Sequence, residues 1–438
     1  MNIAARLDSL PLSKVHWKIV FVCGLGWLFD AMDAGIIAFV LAVLMKQWNL
    51  SASQVGWIAS IGLMGMFAGS LLSGVLADRV GRKYLFQATL LIFSIATGLC
   101  GLATGFASLL FLRFLVGFGL GGELPVASTL VTEFSPAQHR GRLLVILESF
   151  WAFGWVAAAI ISFLIIPRFE QGWKIAFFIG FLPAFYAFYL RRSIPESPRY
   201  LESAGRRTEA RAALRWLENQ AGEKPVEITE ETKKTAIKVR LASLWQGKFV
   251  RRTLMLWILW FAMVYSYYGI FTWLPSLLVS GGHELIRSFR YVLIITLAQI
   301  PGYFCAAFLV DRIGRKATLV PFLIGCAIAA FLFGKATSGA EIILYGCLIS
   351  FFNLGAWGVV YTYTPELYPT DMRGTGAGTA AAVGRIGGVL APVIVGKIVG
   401  AGLGQQAVFA QFAAVVIAGA IAVALLGEET KRKSLEQI

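Results

Sequence analysis

The sequence predicts an all-α membrane protein of twelve transmembrane helices in two pseudo-symmetric six-helix bundles, and three observations lead there. The 438 residues are 58% hydrophobic and only 14% charged, with a mean hydropathy of +0.72, which is too apolar for a surface that faces water. The chain divides into about twelve apolar runs of the roughly 20 residues that a helix needs to cross lipid without leaving backbone groups unpaired. A charged decapeptide, Gly74-Val-Leu-Ala-Asp78-Arg79-Val-Gly81-Arg82-Lys83, returns as Ala307-Phe-Leu-Val-Asp311-Arg312-Ile-Gly314-Arg315-Lys316, 233 positions later (311 − 78), both times between apolar runs. Such a repeat, at about half the chain length, indicates duplication. Membrane barrels would need about 10-residue segments of alternating polarity, and nothing here alternates for long.

In chain order the spans are expected near 17–45, 54–77, 84–104, 107–133, 142–166 and 173–190, then near 254–279, 290–310, 317–334, 341–364, 376–399 and 407–426. The first run is longer than a signal-peptide core and is expected to stay as an anchor. Six spans and six put both termini on one side. Lys and Arg gather in the loops after even-numbered spans (Arg79, Arg82 and Lys83; Arg140 and Arg142; Arg312, Arg315 and Lys316; Arg373) and in the tail. That side is therefore expected to be the cytoplasm, with the protein in the cell (plasma or inner) membrane. The same bias accounts for the net charge of +15 without invoking nucleic acid.

The domains are expected at 1–190 and 253–438, each a six-helix bundle, joined by a cytoplasmic linker at 191–252 that carries fifteen Lys or Arg against eight Glu. Leu201, Ala204, Ala213, Leu214 and Leu217 recur near helical spacing, so short amphipathic helices are expected to lie under the membrane, basic face toward anionic lipid. Cys23, Cys100, Cys305, Cys326 and Cys347 all fall in apolar runs without paired spacing and are expected to be free thiols. His16, His139 and His283 lie near or outside the membrane surface, and no nucleophile, base and orienting group fall together. Neither an enzyme nor a cofactor nor a metal site is expected.

In the decapeptide, a carboxylate stands near a helix end among three cations, with Gly81 permitting the turn. Gly74, Asp78, Arg79, Gly81 and Arg82, with Asp311, Arg312 and Arg315 in the second copy, are the expected gating residues, a latch that clasps a neighbouring helix. Further marks are Arg113-Phe-Leu-Val-Gly117-Phe-Gly119, Glu133-Phe-Ser-Pro136-Ala-Gln-His-Arg140-Gly141, Pro195-Glu196-Ser-Pro198-Arg199 and Pro365-Glu366-Leu-Tyr-Pro369-Thr-Asp-Met-Arg373-Gly374. With these marks the chain resembles the major facilitator superfamily, whose loops between spans two and three and spans eight and nine carry the decapeptide. Ala307, where the first copy has Gly74, departs from the pattern and puts close packing of the second loop in doubt.

Charges inside spans are costly and default to functional candidates. Asp30 and Asp33 stand one turn apart in span one. At about 1.5 Å per residue, Asp33 lies roughly 24 Å from the cytoplasmic end and Arg113 roughly 9 Å from the outer end of a core about 30 Å thick, so the two can meet. Protonating an Asp paired with Arg breaks the pair, which makes Asp33 and Arg113 the expected proton-coupling residues and Asp30 the alternative; a fixed salt bridge is the competing reading. By position the pair matches the span-one Asp and span-four Arg of proton-coupled sugar porters. Glu123 and Glu148 could bind substrate when protonated or pair locally. Glu148 stands where sugar porters carry a Gln, which puts sugar in doubt.

In the second half Arg385, flanked by Gly384, Gly387 and Gly388, lies roughly 15 to 18 Å into span eleven with no acid in that span to balance it. A lone midplane Arg suits an anion held by a bidentate contact. Tyr267, Trp273, Asn353, Trp357 and Tyr361 cluster in spans seven and ten, and the rings among them would stack a flat ring that bears a carboxylate. Leu-Phe-Asp30-Ala-Met-Asp33, Gly-Gly-Glu123-Leu-Pro125, Glu148-Ser-Phe-Trp151 and Tyr-Tyr-Gly-Ile-Phe-Thr-Trp273-Leu-Pro275 are most similar to bacterial niacin transporters, in a sugar-porter-like branch that also holds organic ion transporters and synaptic vesicle glycoproteins. The resemblance implies a monomeric secondary transporter in membrane lipid. It would import a small aromatic acid, nicotinate first, by proton symport with alternating access around a midplane site. A carrier of organic cations or drugs, and a non-transporting receptor of the same fold, stay open as alternatives.

Overall fold

The computed structural model describes residues 2–136, 138–226, 241–247, 249–369 and 372–431, and within them the helix but not the side chain at Gly74, Val75, Asp78, Leu124, Pro125 and Arg191. Among the described residues it is helical throughout, with 12 helices long and apolar enough to cross a membrane. In order they are Lys14–Gln47, Ala52–Ser73, Arg82–Cys100, Phe106–Phe134, Arg140–Ile165 and Gly172–Leu190, then Phe249–Ser280, Leu285–Ile313, Arg315–Lys335, Gly339–Glu366, Arg373–Gly400 and Gly404–Leu426. Each overlaps one expected apolar run. Span six is broken into Gly172–Ile179 and Pro183–Ser193, with Pro183 at the start of the second piece. Span eight divides at Ala298 into Leu285–Leu297 and Gln299–Ile313, where Pro301 cannot donate to Leu297 four residues earlier.

Lipid tails are as apolar as the spans, so the helices associate by close packing at small residues. A Cβ on Gly69 would stand 2.0 Å from the Phe118 carbonyl oxygen, and one on Gly302 would stand 2.1 Å from that of Phe351. Gly122 and Gly355 likewise leave no room for a methyl against Thr89 and Phe322. Every member of these pairs has its counterpart 233 positions later, so the duplication seen in the charged loops extends to the backbone crossings between spans.

By contact the chain forms two compact units, Met1–Asp33, Met64–Gly154 and Lys174–Ala236 in one, and Ala34–Leu63, Trp155–Trp173 and Ile237–Ile438 in the other. The division differs from a cut at 190 and 253, because the second unit takes in stretches of spans one, two and five. Ser60 Oγ donates to the Val389 carbonyl at 2.7 Å. Gly56 abuts the Pro392 carbonyl and Gly396 that of Ala52, either of which a Cβ would approach to 2.6 Å. Phe39 and Phe289 meet edge to face at 4.9 Å.

In the first unit a short helix, Ile3–Ser9, begins with the Asn2 side chain accepting from the Ala5 N–H. The linker supplies Pro198–Ser203 and Arg207–Ala221, the latter amphipathic as its spacing predicts. Its apolar face is not turned to lipid. Ala210, Ala213, Leu214 and Leu217 are buried in a cluster with Ile3, Leu7, Leu10 and Val15, so the protein's own N-terminal helix takes up the surface expected to lie under the membrane. Arg6 pairs with the buried Glu218 at 2.8 Å. Asp8 holds Arg140 at 2.7 Å and Arg199 at 2.6 Å.

Candidate functional site

The charged loops turn at Gly81 and Gly314, whose φ values of +104° and +107° are reached at no steric cost by glycine alone. Beyond each glycine a span begins, and a carboxylate caps it. Glu196 accepts from the Lys83 N–H at 3.1 Å and from the Ser197 N–H at 2.8 Å. Glu429 accepts from the N–H groups of Arg315, Lys316 and Ala317 at 2.9, 3.1 and 3.3 Å. An anion at a helix N-terminus meets orphan donors and the positive end of the dipole. The two twins nonetheless differ. Burial pushes the Glu196 carboxyl up, with the Ser197 and Lys83 N–H groups opposing. Burial also acts on Glu429, but its backbone donors outweigh it and hold the carboxyl below the usual range.

The loop arginines reach a second acid. Arg315 grips Glu366 through Nε and Nη2 at 2.7 to 3.1 Å. Arg82 stands 3.5 Å from Glu133, donates to the Ala77 carbonyl at 3.0 Å and lies over the Tyr200 ring at 4.7 Å. Arg140 and Arg373 donate to the carbonyls of Thr132 and Pro365, each eight residues back, at 3.1 and 3.0 Å. Arg79, Asp311 and Arg312 are exposed. Of the latch expected at Asp78 and Arg82, the Asp78 side chain lies outside the described residues; Gly74 is described only in its helix. With Ala307 in place of a glycine, the second loop is still held by Glu366 and Glu429. Glu133, Glu196 and Glu366 stand in the family motifs with no role assigned by those motifs, and Glu429 lies outside them. The signal that could have found them is the same 233-residue offset, which pairs Glu133 with Glu366 and Glu196 with Glu429.

Within the spans of the first unit, Asp33 and Arg113 meet at 2.9 Å, and the other Asp33 oxygen accepts from the Thr97 hydroxyl at 2.6 Å. Both side chains are nearly inaccessible, 1% and 5% exposed. Asp30 is as deeply buried, but neither of its oxygens has a partner among the described residues. Glu123 is fully buried and accepts from Thr89 at 2.9 Å. Glu148 is half-buried on span five, three residues before Trp151, whose ring lies 4.6 Å from that of Trp27.

In the second unit Gly384, Gly387 and Gly388 serve span seven, since Cβ atoms there would meet the Trp260 carbonyl, the Phe261 carbonyl and Val264. That approach sets half-buried Arg385 on the wall shared by spans seven and eleven, beside the phenols of Tyr268 and Tyr361. Among the described residues it has no acidic partner within ion-pair distance. Tyr361 lies 5.4 Å from Trp357 at a tilt of 31°, and Tyr267 touches Trp357 edge-on at 6.2 Å. Asn353 is buried and donates to Ser266 at 3.1 Å. Trp273 lies apart from this group, fully buried, with its indole N–H on the Pro392 carbonyl at 3.1 Å.

Twelve apolar helices among the described residues, charged loops clasped by acids at matching positions and a few ionisable side chains inside the spans define a transporter of the major facilitator fold, a multi-pass membrane protein. The chain belongs to the family described as sugar (and other) transporters, whose model matches residues 25–438. It is 52% identical to the niacin transporter NiaP of Acinetobacter baylyi over the whole of both chains. With NiaP of Bacillus subtilis it shares 48% identity over 96% of this chain and 98% of that one. Among solved structures, the xylose transporter XylE from E. coli in a partially occluded inward open conformation superposes with a TM-score of 0.76. At 18% identity over 96% of this chain and 100% of that one, the likeness extends to the fold.

Proposed function

We propose that this protein imports a small aromatic carboxylate, nicotinate first, together with a proton, by alternating access in the cell membrane with both termini in the cytoplasm. The observation that carries the reading is Arg385, a half-buried cation inside a span with no acidic partner among the described residues. A carboxylate ligand would supply the missing charge through a bidentate contact. Trp357 and Tyr361, tilted toward parallel, offer faces for a ring, and Tyr267 and Asn353 back them. Trp273 supports the site by fixing span seven to span eleven. The identity with niacin transporters favours nicotinate as the ring acid. Asp33, held by Arg113, is the proton-coupling carboxylate, since protonation would release the pair.

The test is uptake of labelled nicotinate into proteoliposomes by wild type and Arg385→Gln. A charge-assisted bidentate contact contributes about 1.5–3 kcal/mol, so affinity should fall roughly 10- to 100-fold. Unchanged affinity in Arg385→Gln removes the clamp. Block of uptake by organic cations but not by aromatic acids reassigns the cargo to cations.

A further inference from the structure

We propose that Asp30 and Glu123 form a second protonation site, separate from Asp33 and Arg113, in which two carboxyls share a proton that the transport cycle takes up and releases. The inference rests on the proton-coupled import proposed above and extends it to a pair of side chains with no cation of their own.

The charge inventory comes first. Away from their ends, the six spans of the first half carry four acids, Asp30, Asp33, Glu123 and Glu148, against one cation, Arg113. Arg113 is taken by Asp33, whose second oxygen is taken by Thr97. Glu148 is half-buried. Asp30 and Glu123 remain, 1% and 0% exposed. Among the described residues, both oxygens of Asp30 and Oε1 of Glu123 have no hydrogen-bond partner.

The geometry sets Glu123 one helical turn from Asp30 along span one. Glu123 Oε1 lies against Gly26, where a Cβ would stand only 2.7 Å away, and Gly26 is one helical turn before Asp30, on the same face of span one. Any side chain at position 26 would take up the space in which the carboxyl of Glu123 sits. The titratable groups that face Asp30 are Glu123 and Asp33. Cys23 from span one and Tyr186 from span six face Glu123. Span three contributes the Thr89 hydroxyl. The Tyr186 hydroxyl donates to the Val22 carbonyl at 2.6 Å. None of these groups is a cation.

Two ionised carboxylates in such a place cost several kcal/mol each even after relaxation. One added proton turns an unpartnered oxygen into a donor and the other carboxyl into its acceptor, so a single proton repairs both faults, and the pair titrates as a unit. The balance is simple, because a proton enters from water, bridges the two oxygens and leaves to water when the site is hydrated. Asp33 gains a proton only by giving up its arginine. The Asp30 and Glu123 pair has no cation to displace, so the two sites answer differently to pH.

Infrared difference spectroscopy of purified protein in liposomes tests the site without any cargo. The wild type should show a buried carboxylic-acid C=O band at neutral pH, sensitive to deuterium exchange, that Asp30→Asn and Glu123→Gln each remove or shift in its titration. The pH profile of nicotinate uptake should lose the same inflection in both variants. A wild type without a protonated carboxyl band at neutral pH overturns the proposal, and that measurement needs no variant to fold. A band abolished by sodium ions overturns it in favour of a bound metal cation. Variants that keep the wild-type band and profile also overturn it. If the band behaves as expected while nicotinate is not carried, the protonation site stands and the cargo assignment falls.

Discussion

Replacing Asp33 with Asn, Arg113 with Met, and both together forms a cycle that reads the energy of the buried pair. Asn keeps the shape of Asp33 and can still accept from Thr97, so the single change removes little besides charge. At 2.9 Å and almost fully buried, each variant strands one uncompensated charge, which costs about 3–5 kcal/mol. Arg113 Nε lacks a hydrogen-bond partner among the described residues. The double variant strands neither charge and should cost less than the sum of the singles by about 0.5–3 kcal/mol. Graded unfolding in detergent micelles, followed by tryptophan fluorescence, measures all three. Singles whose costs add to that of the double within about 0.5 kcal/mol would refute the pairing energy, and singles costing under about 1 kcal/mol would show that water reaches the site.

Three further outcomes follow from the duplicated frame. Gly81→Ala and Gly314→Ala each combine a φ near +105° with a Cβ 2.3 or 2.5 Å from the capping carboxylate; each should cost about 1–3 kcal/mol in thermal unfolding, and a silent variant contradicts the cap. Gly69→Ala and Gly302→Ala should destabilise by about 1–3 kcal/mol or more through overpacking, with twin costs of similar size; tolerance of either means the spans stand further apart. Glu429 contributes stability above its ordinary value of about 4.3, lost as pH falls through its depressed native value, so Glu429→Gln should be weaker than wild type at pH 7 and converge with it in acid. Glu196, with its native value raised, loses stability as pH rises through the window between its ordinary and native values, so Glu196→Gln should not weaken the protein at pH 7. Identical pH profiles for the two variants would contradict the difference in their environments.

The spans were legible because lipid imposes length and apolarity on every crossing helix, and the meeting of Asp33 with Arg113 was legible because helical rise converts sequence position into depth. The Arg207–Ala221 helix was readable as amphipathic, yet which surface its apolar face covers was not. Periodicity reports that a face is apolar and says nothing of whether lipid or Ile3 and Leu7 will cover it. Trp273 shows the same limit among aromatics, since spacing put it with Trp357 while its indole N–H donates to the Pro392 carbonyl on span eleven. The glycines around Arg385 read equally well as room for a ligand or for a helix, and Trp260 and Phe261 fill that room. The partners Glu133, Glu366, Glu196 and Glu429 were hidden because each lies a span or more from the loop it binds.

The offset of 233 holds from the turn glycines through the backbone crossings to the carboxylates that close each loop, with no net insertion or deletion between matching positions. The segments 77–136 and 310–369 are therefore interchangeable in length, and exchanging them would move Arg82 with Glu133 and Arg315 with Glu366 as intact couples. Each half thus comes with an internal reference copy, so a graft between halves can separate what the frame requires of both copies from what one of them has acquired for its own task.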